Sequence, residues 1–353
     1  MKKVFLFNPE NDIALASGHW NFTPPAAGRD MAVSGQALPW WLGGKDDYVL
    51  VPDASDARLE GWRERIERHF GPGPQFINSL RGVEIDVLEP WGWSSYTCKV
   101  FDRFGAGKEM WQSHWDDAEI HRRFSHRRTA MELRLMLGED GITEARSMQD
   151  VRDFAESYSD FYVKAPWSSS GRGVFRYDSV REAGIEGIMR RQGSVMLEKS
   201  YDGVRDFAML FWMGEDGLSF CGYSMFFNGG TTYGGNMLAS DEEIEHRLAA
   251  MAGGVNLDAT RRAVSAALEE IAAAHGYRGP LGVDMLVYRC GDGSYRIASC
   301  IEVNCRYTMG FIAHAVAARG LRGHMAVNSL APSEEKFTYL SPPIGKYHFF
   351  ATY

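Results

Sequence analysis

Apolar runs of strand length alternate with amphipathic stretches of helix length along the first part of the chain. Residues 4–7 form a continuous apolar run that ends in the polar cluster Asn8, Glu10, Asn11 and Asp12, the pattern of a buried strand entering a loop. Residues 48–52 and 83–88 predict two further strands, with a charged helix, Ala57–Phe70, between them. Strand and helix in alternation point to an open α/β layer. A boundary is expected near residue 124. Beyond it Ser125 is placed to cap a helix whose apolar positions are Met131, Leu133, Leu135 and Met136, and residues 148–158 predict another. Residues 161–177 read as strand, small-residue loop and strand, followed by a helix near 180–190.

From Ser194 onward the pattern turns β-rich, with a turn at Asn228, Gly229 and Gly230. Helices are expected at Asp241–Met251 and Leu257–His275. In the second, Val264, Leu268, Ile271 and Ala272 keep the spacing of one helical face. Strands 281–288 and 296–304, joined through Gly291, Asp292 and Gly293, predict a hairpin. A helix from Met309 and a strand at 347–352 complete the set.

At 353 residues the chain is long enough for two or three domains of roughly 150 residues each. A 45% hydrophobic and 24% charged composition excludes a disordered or fibrous chain. The net charge of −8 leaves no dominant basic field, so nucleic acid is not an expected partner. Five cysteines without a C-x-x-C motif indicate neither a disulfide framework nor a zinc knuckle. No apolar stretch approaches the roughly 18 residues of a membrane span, and the expected setting is the cytoplasm. Ten tryptophans, many before residue 125, are open to two readings, a pocket lining or an aromatic core.

Three segments carry candidate chemistry. Lys164 ends an apolar strand four residues before Ser168, Ser169, Ser170, Gly171, Arg172 and Gly173; small residues let backbone N–H groups close over phosphates. Glu302, Asn304 and Arg306 alternate on one strand and so project together, and the hairpin sets Asp284 on the partner strand. Two carboxylates and an amide oxygen form a hard, all-oxygen site suited to Mg²⁺. The third segment is Val195 to Lys199 followed by Arg205 and Asp206, an apolar strand leading into Glu198 and Lys199. His275, His314, Cys300 and Cys305 read as structural residues. The cluster Asn8, Glu10, Asn11 and Asp12 is open between a ligand role at a strand end and helix capping.

In this order, over roughly residues 125–320, the three segments resemble the ATP-grasp superfamily, most specifically at Glu302–Arg306, which is similar to its E-x-N-x-R strand. The resemblance implies an α/β (α+β) ATP-grasp fold, two subdomains clasping ATP. These would be a lid subdomain at 125–193 and a C-terminal subdomain at 194–353, preceded by an α/β domain at 1–124. It implies that Lys164 and the lid Ser168 to Gly173 bind ATP phosphates, that Glu198 and Lys199 form the adenine hinge, and that Asp206 meets the ribose. Asp284, Glu302 and Asn304 would hold two Mg²⁺, and Arg306 would stabilise the reacting oxygens. Where the family usually carries a lysine at the start of its first helix, Arg127 is the candidate and Arg128 its rival. The implied activity joins a small-molecule carboxylate to an amine or thiol through an acylphosphate, giving ADP and phosphate. A small-molecule kinase and a non-catalytic nucleotide-binding protein are the alternatives. A homodimer is also within the family's habit.

Overall fold

The structure, a computed structural model, describes residues 1–168, 173–229, 232–251, 253, 255–333 and 336–353. The chain begins with β1 (Lys3–Leu6), α1 (Asn11–Ser17), α2 (Ala26–Ser34), β2 (Tyr48–Leu50), α3 (Ala57–Phe70), β3 (Gln75–Ile77), β4 (Val87–Pro90), α4 (Ser95–Arg103), α5 (Lys108–Asp116) and α6 (Ala118–Phe124). It continues with α7 (Arg128–Met136), β5 (Ile142–Ala145), α8 (Met148–Ser157), β6 (Phe161–Lys164), β7 (Val174–Arg176), α9 (Glu182–Gln192), β8 (Val195–Lys199), β9 (Asp202–Gly214) and β10 (Gly217–Gly229). The last part holds β11 (Thr232–Leu238), α10 (Asp241–Met251), α11 (Leu257–His275), β12 (Gly279–Arg289), β13 (Tyr295–Asn304), α12 (Met309–Ala318), β14 (Gly323–Asn328), β15 (Phe337–Tyr339) and β16 (His348–Thr352). Two units result: Met1–His121 with Gly234–Glu243 and Arg306–Tyr353, and Arg122–Tyr233 with Ile244–Cys305. Among the described residues no helix is long and apolar enough to cross a membrane.

The first unit holds a parallel sheet in the order β3-β2-β1-β4. Val4, Leu50, Leu88, Trp93 and Phe101 are part of its core. The strand expected at 83–88 lies instead at β4. Gly82 turns the chain with φ of 72°, and Asp86 is drawn to Lys2, whose N–H donates to the Asp86 carboxylate at 2.7 Å; pairing with β1 therefore starts at Val87 opposite Lys3. Helix α3 buries Leu59, Trp62 and Ile66 and leaves its charged face outside, where Arg63 pairs with Glu60 and Glu67. Trp40, Trp41 and Trp62 meet edge to face. Two of the three ring N–H groups find partners, Trp41 donating to the Leu340 carbonyl at 2.8 Å and Trp62 to that of Tyr339 at 2.7 Å, while the buried Trp40 N–H has no hydrogen-bond partner among the described residues. Of the two readings of the tryptophans, these three are core. The same unit carries an antiparallel set, β11-β14-β16-β15.

The second unit contains two antiparallel sheets, β5-β8-β6-β7 and β13-β12-β9-β10. Phe161, Val163, Val195 and Leu197 alternate onto one face of the smaller sheet and pack on Val151, Phe154 and Ile185 from α8 and α9. Helix α7 departs from its sequence pattern. It begins at Arg128, and Ser125 donates to the Arg122 carbonyl at 3.0 Å rather than capping it. Its inner face is Thr129, Ala130, Leu133 and Arg134, whereas Leu135 and Met136 are 56% and 45% exposed. The apolar pair was displaced because Arg134 finds acidic partners inside, as described below. Leu133→Ala is therefore expected to cost about 2–5 kcal/mol and Leu135→Ala no more than about 0.5 kcal/mol, read from urea midpoints of the two variants. Equal losses would contradict this facing of α7.

Candidate active site

Cross-strand pairing places Tyr162 and Lys164 of β6, Met196 and Glu198 of β8 and Glu144 of β5 on one face of the small sheet, opposite its apolar core. Glu198 is 3% exposed. It accepts hydrogen bonds from Lys164 Nζ and, at 3.1 Å, from Arg134 Nη1. Arg134 also ion-pairs with Glu139 at 3.2 Å and donates to the Asp140 carbonyl at 2.6 Å and to the Tyr201 hydroxyl. Burying a charge is costly unless it is paired and hydrogen-bonded; Glu198 meets both cations at once and fixes Lys164 by doing so.

Two arginines at the start of α7 divide the remaining acidic partners. Arg128 forms a bidentate pair with Glu144 at 2.8 and 2.6 Å. Burial alone would raise the Glu144 carboxyl, but the hydrogen bonds from Arg128 and Ser194 and the charges of Arg128 and Arg146 outweigh it and hold the group at about 2. Arg127 is buried and reaches the other way. Its Nη2 lies 3.1 Å from Ser168 Oγ and 3.0 Å from Glu302 Oε1. Its Nε is buried with no hydrogen-bond partner among the described residues. One guanidinium thus joins the entrance of the serine loop to the acidic strand and keeps a donor in reserve.

The second sheet gathers the carboxylates. Asp284 stands directly opposite Glu302, Gly282 opposite Asn304, and Leu286 opposite Asp206. Asn304, Glu302, Asp284 and Asp206 consequently share a face, while Phe207, Met209 and Phe211 fill the opposite one. Asn304 Nδ2 donates to Asp284 Oδ2 at 3.1 Å. Asp206 accepts from Asn228 Nδ2 at 3.1 Å, and burial pushes its carboxyl up despite that bond. The Glu302 side chain is 29% exposed.

Other sequence candidates are placed as follows. Ser168 and Gly173 flank the loop; Ser169, Ser170, Gly171 and Arg172 lie outside the described residues. Gly173 has φ of 71° and its carbonyl accepts the Ala165 N–H at 2.8 Å; a Cβ there would come within 3.0 Å of Ala165 Cβ, so the neck of the loop needs glycine. Lys199 pairs with Asp140 through its side chain. Its N–H donates to Gly141 O at 2.8 Å, and the Ser200 N–H to Asp160 O at 3.0 Å, so these two donors are already used within the fold. Arg306 belongs to the first unit, where it grips Asp12 with contacts of 2.7–2.9 Å. His275 and His314 each face one carboxylate, Glu132 and Asp241. Among the described residues no group of three His, Cys, Asp or Glu is arranged as a metal site. Arg134 and Glu144 were not singled out from the sequence. Arg134 follows Arg127 by seven residues, two helical turns, and that spacing is the signal that marks both as facing one way.

A scan of the sequence against family models finds no match, and a search among curated proteins finds none. Solved structures do match. A biotin carboxylase complex with β,γ-ATP from Campylobacter jejuni is 13% identical, with a TM-score of 0.53 over 100% of this chain and 87% of that one. A pyruvate carboxylase from Rhizobium etli is 13% identical, with a TM-score of 0.50 over 100% of this chain and 36% of that one. At such identities the likeness is one of fold, and the α/β ATP-grasp fold expected from the sequence is the fold of the structure.

The charge pairing makes two predictions. Glu198→Ala removes the carboxylate that Lys164 and Arg134 share, leaving Arg134 with Glu139 alone, and is expected to cost about 3–5 kcal/mol in urea unfolding; a loss below about 1 kcal/mol would show that the two cations find other partners. Glu144 has a depressed pKa, so its contribution is present above the ordinary carboxylate value and is lost as pH falls toward about 2. Glu144→Gln is expected to lower stability by about 2 kcal/mol at pH 7, allowing for the partial exposure of Arg128. The gap should close as pH falls toward 2, and a gap unchanged at low pH would refute the linkage.

Proposed function

We propose that the protein is an ATP-dependent ligase that joins a carboxylate to an amine or thiol through an acylphosphate, releasing ADP and phosphate. The supporting observation is the position of Arg127, which touches both the loop-entrance Ser168 and the acidic-strand Glu302 and retains a buried donor with no hydrogen-bond partner among the described residues. A cation so placed suits phosphate oxygens, for which guanidinium geometry is well matched.

The donor set fits Mg²⁺. Asp284, Glu302 and Asn304 present carboxylate and amide oxygens on one sheet face, Glu302 is open to solvent, and Mg²⁺ usually takes one or two carboxylates and completes its shell with phosphate oxygens and water. When bound there, Mg²⁺ would neutralise charge on the phosphates. Lys164, oriented by Glu198, and Arg127 would bind the phosphates, and Asp206 would accept from ribose hydroxyls. Lys199, at the end of β8, marks the purine end of the site. Arg306 follows Asn304 by two residues and is assigned to stabilise charge on the reacting acyl and phosphoryl oxygens. The serine loop would exclude water from the acylphosphate. In this reading catalysis is chiefly positioning and electrostatic stabilisation.

The test is thermal unfolding with Mg²⁺ and a non-hydrolysable ATP analogue, followed by phosphate release over a panel of carboxylates and amines. A ligand at about 100 times its Kd should stabilise the parent by roughly 2.7 kcal/mol, with Glu302→Ala and Arg127→Ala losing most of that shift. Free phosphate formed only with both substrates present supports a ligase; a phosphorylated carboxylate or alcohol accumulating instead would make the protein a kinase. No shift at millimolar nucleotide would overturn the nucleotide site itself.

A further inference from the structure

The parallel sheet of the first unit has its own switch point. The chain leaves β1 toward β2 and β3 on one side and returns as β4 on the other. Ligands of open α/β sheets bind beyond the carboxyl ends of the strands where the order reverses, here between β1 and β4. Both strands run through short connections, residues 7–10 and 91–94, into the helices α1 and α4, and these connections are laced together. Asn8 Nδ2 donates to Gly92 O at 2.9 Å and Thr97 Oγ1 at 3.0 Å, and Asn8 Oδ1 accepts the Gly92 N–H at 3.3 Å. With its amide turned, Asn11 donates to Gly92 O, Trp93 O and Ser94 Oγ. A Cβ on Gly92 would lie 2.8 Å from Asn11 Cγ and 3.1 Å from Arg306 Cβ. Asp12 is held by Arg306. Three of the four polar residues after β1 therefore have evident structural partners.

Glu10 does not. It is 7% exposed, and its Oε2 is buried with no hydrogen-bond partner among the described residues. Burial pushes its carboxyl up to about 7, against the pull of its own backbone N–H. Such a group is costly to keep in the absence of a ligand. Its surroundings select the ligand. Gly28 of α2 lies against it, with the Glu10 Cβ 3.3 Å from where a Cβ would stand. The Tyr96 hydroxyl of α4 feels the Glu10 charge together with those of Arg29 and Arg103. Phe22 meets Tyr96 edge to face at 5.3 Å. The nearby carboxylate of Asp12 is already bonded to Arg306, and among the described residues no group of three His, Cys, Asp or Glu stands as a metal site.

We propose that Glu10 anchors a subsite at the β1–β4 switch point that takes the primary ammonium group of a small-molecule substrate, with Phe22 and Tyr96 bordering its carbon skeleton. An ammonium matches an acceptor-only carboxylate in both charge and hydrogen bonding. The inference deepens the ligase reading and rests on it only in calling this ligand the amine-bearing substrate.

The experiment uses the full chain and Glu10→Gln, which keeps the side-chain volume and removes the charge. Thermal midpoints are measured with a panel of primary amines (the proteinogenic amino acids other than proline, ethanolamine and putrescine), with and without the Mg²⁺–nucleotide analogue. At least one amine should raise the midpoint of the parent, with a half-saturating concentration about tenfold higher at pH 6 than at pH 8, since ammonium binding needs the ionised carboxylate. Asp12, Tyr96, Arg29 and Arg103 are the other titratable or charged groups about Glu10. Burial pushes the Tyr96 hydroxyl up, further from the pH 6–8 window. In E10Q the amine response should fall at least tenfold while the nucleotide response stays unchanged. The ligand-free variant should also melt higher than the parent at pH 8 and not at pH 4.5, because a raised carboxyl pKa destabilises the fold only where the group would ionise. No response to any amine, or a response that survives E10Q, overturns the subsite. A lost nucleotide response in the parent would instead overturn the ligase reading, which keeps the two failures distinct.

Discussion

Glu198 stands inside the second unit with its carboxylate almost wholly removed from water, and the arrangement around it follows from that. A carboxylate at this depth needs positive charge and donors close by. Lys164 from the neighbouring strand and Arg134 from α7 supply them. In return the lysine is fixed in one place, and α7 is turned so that its arginine faces inward and two apolar side chains face solvent. The pairing also explains why the small sheet has one apolar and one charged face. Its helices α8 and α9 cover the apolar face, and the charged one carries Lys164, Glu198 and Glu144.

Division of labour among basic residues follows the same rule. Arg128 is taken up by Glu144, and Arg134 is ion-paired with Glu198 and Glu139 and bonded to backbone. Among the described residues Arg127 and Arg134 each keep a buried Nε without a hydrogen bond, but the Arg134 Nε lies 3.2 Å from the Glu139 carboxylate, whereas Arg127 spans from the loop entrance to Glu302. A donor that the fold leaves unsatisfied is a position where a ligand oxygen gains more than water would give. The acidic face of β9, β12 and β13 shows the complementary arrangement, oxygen donors gathered over a wholly apolar underside.

The first unit repeats the logic with the opposite sign. Asn8 and Asn11 spend their amides tying the ends of β1 and β4 together, and Asp12 is committed to Arg306. Glu10 Oε2 remains as a buried acceptor without a hydrogen-bond partner among the described residues. Seen this way, the two units present unfulfilled groups of opposite polarity, a guanidinium N–H in one and a carboxylate oxygen in the other.

Much of this was legible in the order of residues alone. Period-two alternation placed Glu302 and Asn304 on one face, and the glycine turn at 291–293 brought Asp284 opposite Glu302, as the register shows. Local turn chemistry and strand period suffice there, because a hairpin needs no distant partner. What the sequence could not decide depends on contacts between distant segments. It left Arg127 and Arg128 as rivals, and only Glu144, sixteen residues on and on another strand, took one of them out. It counted Leu135 and Met136 among the apolar positions of this helix, whereas two segments, one holding Glu139 and Asp140 and the other Glu198 and Tyr201, supplied the partners that made burying Arg134 the better solution. It began β4 too early because the pull of Asp86 on Lys2 is invisible to a local pattern. Periodicity reports which face a side chain occupies within its own element; whether a charge on that face is buried, paired or left waiting is set by what the rest of the chain brings to it.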